Sequence, residues 1–265
     1  MPMLNMRNLN FGYMPSFNTD LISEIKFAKK YFDFIEITLE YDLTKYSNDY
    51  LKRLKESLTN FEILGHIHWE LDLTIRKDLK KIIENIRIYK FLGSKKITVH
   101  PFIGTIMNRK QAEIKNFKAL KYISNLCKKD KIQLLIENSL NPLFNPAKGF
   151  KYLLTKNLSL LMTLDIGHAK GVSERELDSY LNLFSPKIKH IHLHYNCGKS
   201  DHLLFPKKQK KWLIDILEKL SKLNTKLTIT LEMFAILKKQ KLFPIDGKLR
   251  QNLLLNQLRF IKGLS

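Results

Sequence analysis

The chain has 265 residues, 44% of them hydrophobic, enough to bury the core of one α/β barrel without dividing into smaller domains. Lys and Arg number 46 against 25 Asp and Glu, a net charge of +21 that favours polyanionic or phosphorylated partners unless it reflects a general richness in lysine. No apolar run reaches the roughly 18 residues of a membrane span, MPMLNMRNLNFGYM lacks the layout of a signal peptide, and two cysteines, Cys127 and Cys197, argue against a disulfide framework and for a reducing cytoplasm.

Short apolar runs alternate with amphipathic stretches. In chain order the runs are NLNFGYM (8–14), DFIEITLE (33–40), FEILGHIHW (61–69), KKITVHPF (95–102), IQLLIENS (132–139), LSLLMTLDIGH (158–168), IKHIHLHY (188–195) and KLTITLEMF (226–234). Their Ile, Leu, Val, Thr and Phe content suits buried strands. Between them, Thr74 to Leu92 carries Leu79, Ile82, Ile83, Ile86 and Tyr89 at helical spacing, with Gly93 as a stop signal. Ser173 and Glu176 have capping-box spacing ahead of LDSYLNLF. From Lys207 to Leu223, Trp212, Leu213, Ile216, Leu217 and Leu220 share one helix side. Eight strands and eight helices without a linker predict a single (β/α)8 TIM barrel over residues 1–265. A doubly wound sheet is the alternative, but the first strand is followed by no Gly-rich phosphate loop.

Ionisable residues fall at the C-terminal ends of these strands, where a barrel builds its active site. His66 ends the third run, His100 the fourth and Glu137 the fifth. Asp165 and His168 end the sixth, His192 and His194 the seventh, and Glu232 the eighth. Buried carboxylates need a partner or a cation, and imidazole mixed with carboxylate suits Zn2+, Mn2+ or Fe2+. Glu36 and Glu40 read as rim charges and His190 as packing. Cys197 is a possible soft ligand, although NCG reads better as a turn.

The phrases GHIHWELDL, TVHPF, LLIENS, LDIGHAK, HIHLHYN with GKSDH, and TLEMF follow in the order of the xylose-isomerase-like barrels, and over nearly its whole length the chain resembles that superfamily. The superfamily includes endonuclease IV and sugar isomerases and epimerases. The resemblance implies that His66, His100 and Glu137 hold a first metal; His66 is preferred to His68 because Trp69 follows it by three. Glu137 would bridge to a second metal completed by Asp165, His192 and Glu232. His168, Asp201 and His202 match the third metal of the nucleases. Here the chain departs from the pattern: Asp201 and His202 are adjacent rather than one residue apart, and the following Gly-Glu-Gly segment is missing. Adjacent side chains on an extended strand diverge.

Two chemistries follow. Metals about 3.5–4 Å apart could bind a phosphodiester and generate hydroxide; the resemblance then implies DNA with a flipped abasic site. Lys199, Lys207, Lys208, Lys210, Lys211, Lys238, Lys239, Lys241, Arg109 and Lys110 would flank the phosphates, unless they are merely solvated helix starts. Trp69, His194 and Lys199 are the candidate substrate contacts. Alternatively, one metal on Glu137, Asp165, His192 and Glu232 polarises a sugar or sugar phosphate while Glu137 and Glu232 shuttle a proton. A barrel whose metals are only structural fits less well, because structural zinc sites are closed and four-coordinate. The charge and the pair His66 and His100 favour the hydrolase, with Zn2+ expected and Mn2+ the alternative. The altered third-site motif favours the isomerase.

Overall fold

The structure is a computed structural model that describes residues 8–16, 19–102, 108–141, 143–223, 226–238 and 241–263. Every predicted apolar run contains a strand: β1 Leu9–Tyr13, β2 Phe34–Thr38, β3 Glu62–His66, β4 Lys96–Val99, β5 Gln133–Glu137, β6 Leu161–Asp165, β7 Ile188–Leu193 and β8 Leu227–Leu231. All neighbours pair in parallel, and β1 closes on β8 with Leu9 opposite Leu227 and Tyr13 opposite Leu231. The fold is a single (β/α)8 barrel.

The helices are α1 Leu21–Tyr31, α2 Asn48–Ser57, α3 Arg76–Leu92, α4 Arg109–Lys129, α5 Ala147–Lys156, α6 Ile166–Val172, α7 Glu176–Phe184, α8 Lys210–Ser221 and α9 Gly247–Lys262. The simple alternation expected from the sequence is broken twice. Both α6 and α7 lie between β6 and β7, and an antiparallel hairpin of β9 Ala235–Lys238 and β10 Lys241–Pro244 precedes α9. Gly93 stops α3 in a left-handed conformation, φ 93°, which costs a residue with a Cβ more than it costs glycine. The capping box expected at Ser173 does not form. Arg175 is the N-cap of α7 without a side-chain bond, and Glu176 Oε1 instead accepts the Ala147 N–H at 2.7 Å, tying α7 to the start of α5.

Alternation along the strands sorts the chemistry. Ile35, Ile37, Ile97, Val99, Leu134, Ile136, Leu164, Ile191, Leu193, Ile229 and Leu231 join Ile25, Ala28, Ile82, Ile86 and other helix residues in the apolar core. Residues of the opposite parity face the barrel axis, where they bond across it. Thr98 and Thr163 hydroxyls meet at 2.8 Å, and Lys96 Nζ donates to Thr228 Oγ1 at 3.0 Å. The interior is therefore mixed, these polar groups sharing it with Phe34, Leu64 and Leu135, which have the strand parity of Glu36, His66 and Glu137.

Tyr89 of α3 locks the catalytic end of β2 and β3. Its fully buried hydroxyl accepts the Leu39 N–H at 3.0 Å and lies 2.8 Å from the Ile37 carbonyl and 2.7 Å from that of His66. Tyr89→Phe orphans these backbone groups. Urea unfolding is expected to show a loss of about 1–3 kcal/mol; an unchanged midpoint would contradict this account.

Candidate active site

The predicted strand-end residues converge on the C-terminal mouth of the barrel. Glu137, at the end of β5 and 1% exposed, is the hub. His66 Nε2 lies 3.2 Å and His100 Nε2 3.1 Å from its Oε2, and His192 Nδ1 lies 3.1 Å from its Oε1. His192 Nδ1 is also 2.9 Å from Glu232 Oε2 and 4.0 Å from Asp165 Oδ2.

Among the described residues, potential ligand atoms within 4.8 Å of one another form three overlapping groups: Glu36, His66 and His192; His66, His100 and Glu137; and Glu137, Asp165, His192 and Glu232. A separate group is His168, His194, Asp201 and His202. The carboxylates of Glu137 and Glu232 are thus within reach of one ion. The donor set fits a divalent metal on its own geometry. His192 Nδ1 and Glu232 Oε2 are buried without a hydrogen-bond partner, although they are neighbours. Convergent, unsatisfied donors of this kind call for a cation.

In the metal-free chain, imidazoles supply that positive charge. Burial works to raise Glu137, but His192 and His100 outweigh it and hold the carboxyl well below its usual range. Burial likewise opposes ionisation of Glu232, yet His192 and His202 bring it down to about 2. Reciprocally, burial disfavours charge on His192, while Glu137, Glu36 and Glu232 raise the ring well above the ordinary imidazole range.

Asp165 has two tasks. It caps α6, its Oδ1 accepting the His168 N–H at 2.6 Å, and its carboxylate meets His194 Nε2 at 2.9 and 3.0 Å. Asn138, directly after Glu137, fixes it: Asn138 Nδ2 donates to the Asp165 carbonyl at 2.9 Å and Oδ1 accepts the Asp165 N–H at 2.8 Å. The Asn138 carbonyl also lies 2.8 Å from His168 Nδ1. The sequence reading passed over Asn138, though its place in LLIENS was a signal. Gly167 is required by close approach, since a Cβ there would stand 2.0 Å from the His194 ring.

The adjacency of Asp201 and His202 does not separate their side chains as expected for an extended strand. His202 adopts φ 51°, a left-handed conformation that is uncommon outside glycine. The turn brings Asp201 Oδ2 within 3.1 Å of His168 Nε2 and Asp201 Oδ1 within 3.1 Å of His194 Nδ1, with His202 Nε2 3.9 Å from Asp201 Oδ2. Cys197 lies in a turn, its N–H donating to the Ser200 carbonyl at 3.1 Å beside Gly198 at φ 82°.

A cavity of about 470 Å³ opens over this cluster. His66, His100, Glu137, His168, His202 and Glu232 reach it from the floor, and Met14, Trp69, Phe102, Leu140 and Phe234 give it apolar walls. Trp69, 47% exposed, stacks on His68 at the rim with ring centroids 4.1 Å apart. The other two candidate substrate contacts are placed elsewhere: Lys199 is exposed and outside the lining, and His194 is buried behind Asp165 and Asp201. Lys207, Lys208, Lys210, Lys211 and Lys110 are exposed and also outside it, and Arg109 pairs with Glu113 at 3.0 Å. Lys239, and the side chains of Lys238 and Lys241, lie outside the described residues.

Among solved structures, the chain matches a D-tagatose 3-epimerase-like protein with a TM-score of 0.72 at 20% identity, covering 96% of this chain and 98% of that one. At this identity the match shows the fold, the closed parallel barrel described above. A D-psicose 3-epimerase from Clostridium cellulolyticum H10 matches at TM-score 0.77 and 14% identity, covering 96% and 99% of the two chains. The 3-keto-D-glucoside 4-epimerase of E. coli matches at 0.74 and 12%, also covering 96% and 99%. No protein-family model and no curated protein matches the chain.

These matches overturn the expectation of a phosphodiesterase acting on abasic-site DNA, and they lend no support to DNA as a partner. The physical reason lies in the cavity. Overall charge of +21 argued for a polyanion, but none of the described residues lining the cavity over the metal-ligand cluster is Lys or Arg. No helix among the described residues is long and apolar enough to cross a membrane.

Proposed function

We propose that the protein is a metal-dependent sugar epimerase or isomerase acting on a free, unphosphorylated sugar. The observation that carries this is the pairing of Glu137 and Glu232 at the floor of a cavity of about 470 Å³ whose described lining holds no Lys or Arg. A volume of a few hundred Å³ suits a small molecule. A sugar phosphate would leave its dianion facing Trp69, Phe102 and Leu140 with no Lys or Arg among the described lining residues.

Glu137, Asp165, His192 and Glu232 would hold the metal. Bound there, it supplies Lewis-acid polarisation of a sugar carbonyl and its neighbouring hydroxyl. Glu137 takes the proton from the hydroxyl-bearing carbon next to the carbonyl; Glu232, after picking up a proton from solvent in the open cavity, delivers it to the other face, and Glu137 releases its own to solvent. Each is buried among imidazoles that keep it ionised, so it begins as a base. His100, at the cavity wall, places its Nε2 3.1 Å from Glu137 Oε2 and so helps to hold that carboxylate in position. Three carboxylates and one imidazole form a harder set than zinc prefers, which favours Mn2+.

The test is solvent exchange. In D2O with Mn2+, NMR of a panel of free ketohexoses and aldoses should show deuterium entering at a carbon next to the carbonyl, with an epimer or isomer appearing and both lost on chelation. Metal-loaded protein that exchanges no carbon-bound proton in any of these sugars, or that turns over only their phosphates, refutes the proposal.

A further inference from the structure

Glu36 is not at the barrel rim, where the sequence placed it. It sits within β2 on the axial side, completely buried, and it does not reach the cavity. A carboxylate in such a place persists only if donors surround it. They do. His190 Nε2 lies 2.9 Å from Oε2, Thr230 Oγ1 donates to Oε2 at 2.6 Å, and His192 Nε2 lies 3.2 and 3.1 Å from Oε1 and Oε2.

The polarity of this network is set at its ends. Lys96 Nζ, which can only donate, gives a hydrogen bond to Thr228 Oγ1 at 3.0 Å. The Thr228 hydroxyl has one proton, 2.8 Å from His190 Nδ1 and 3.3 Å from the Lys189 carbonyl to which it also donates. At the other end stands Glu36, a carboxylate, which calls for the His190 proton on Nε2. Glu36 can only accept, so His192 must also present a protonated Nε2. Its remaining nitrogen, Nδ1, faces Glu137 and Glu232 at 3.1 and 2.9 Å; without a metal these carboxylates call for a proton there too, and a bound ion would displace that proton while the one on Nε2 stays with Glu36.

From this we infer that Glu36 is a positioning residue: it holds His192 in the Nε2–H tautomer and so makes Nδ1 a metal ligand. The inference rests on reading Glu137, Asp165, His192 and Glu232 as a metal centre. Outer partners of ligating histidines fix ring orientation and tautomer in this way, and removing one typically weakens metal binding by roughly 10- to 100-fold.

Glu36→Gln is the informative change. A glutamine has one acceptor oxygen where the carboxylate has two, and its amide N–H2 would face a ring nitrogen of His190 or His192. The ring it faces must give up its Nε2 proton and carry it on Nδ1. For His192 this blocks the metal.

Two measurements decide the matter. Competition against a fluorescent chelator should show Mn2+ and Zn2+ affinity lowered roughly 10- to 100-fold in Glu36→Gln. Long-range 15N–1H NMR of histidine-labelled protein loaded with diamagnetic Zn2+ should show His192 protonated at Nε2 and ligated at Nδ1 in the wild type, with the proton shifted toward Nδ1 in the variant. A merely structural role would alter thermal unfolding without moving the tautomer. If Glu36→Gln does not fold, Thr230→Val, which removes one donor from Glu36, enters the same two measurements with a smaller effect expected. Unchanged affinity together with an unchanged tautomer overturns the inference. Wild-type protein that binds no divalent metal refutes the metal-centre reading, and with it a ligand for Glu36 to position; metal that binds with His192 protonated at Nδ1 overturns the role of Glu36 alone.

Discussion

Glu137→Gln should leave a folded barrel whose turnover is lowered by about three orders of magnitude. The substitution keeps the volume of a side chain that is 1% exposed, so circular dichroism and the unfolding transition should change little. Its chemistry changes completely. An amide cannot take a proton from carbon, and its nitrogen cannot ligate a metal; general-base contributions alone are roughly 10²- to 10⁴-fold. The position is also the junction of the site, since His66 and His100 approach one oxygen at 3.2 and 3.1 Å and His192 the other at 3.1 Å. A glutamine can offer those rings only one acceptor. The measurement is the rate of deuterium exchange into sugar under saturating metal. A variant retaining more than a tenth of the wild-type rate would remove Glu137 from the reaction.

Adding the metal should raise thermal stability by a margin that is easily read. Glu36, Glu137, Asp165 and Glu232 are all buried, at 0%, 1%, 0% and 7% exposure. In a low-dielectric interior such carboxylates repel one another, and the imidazoles that neutralise them must carry protons to do so. A divalent ion replaces those protons with two charges on one centre and releases protons as it binds. At 100 times Kd, mass action supplies about 2.7 kcal/mol. For a chain of this size that corresponds to a rise in Tm of roughly 5–10 °C. Differential scanning fluorimetry with Mn2+ against a chelator measures it, and Asp165→Asn should flatten the response. Identical transitions with and without metal would show that the cluster binds none.

Much of this was legible before any coordinates. A parallel strand buried on both faces is written as a compact apolar run, and each of the eight strands falls inside such a run. The ligand candidates were legible for a related reason: His66, Glu137, Asp165, His192 and Glu232 are polar residues at the ends of strands that are otherwise apolar, and isolated buried charge has few purposes.

What the linear sequence left open depends on contacts between distant segments. The spacing of Ser173 and Glu176 satisfies a local rule, but the Ala147 N–H competes for the glutamate and wins. Adjacent Asp201 and His202 look divergent until a single left-handed φ at His202 folds them onto His168 and His194.

By itself, then, the sequence determined the barrel and the ring of residues at its mouth, because strand periodicity and the position of a charge within a run are local properties. Tertiary structure alone decided that Glu36 lies inside rather than on the rim, and that the described lysines stay off the cavity lining. Both follow from which parity of each strand faces the axis and how the loops close over it. Net charge counts lysines without locating them, and a binding site responds only to those within reach.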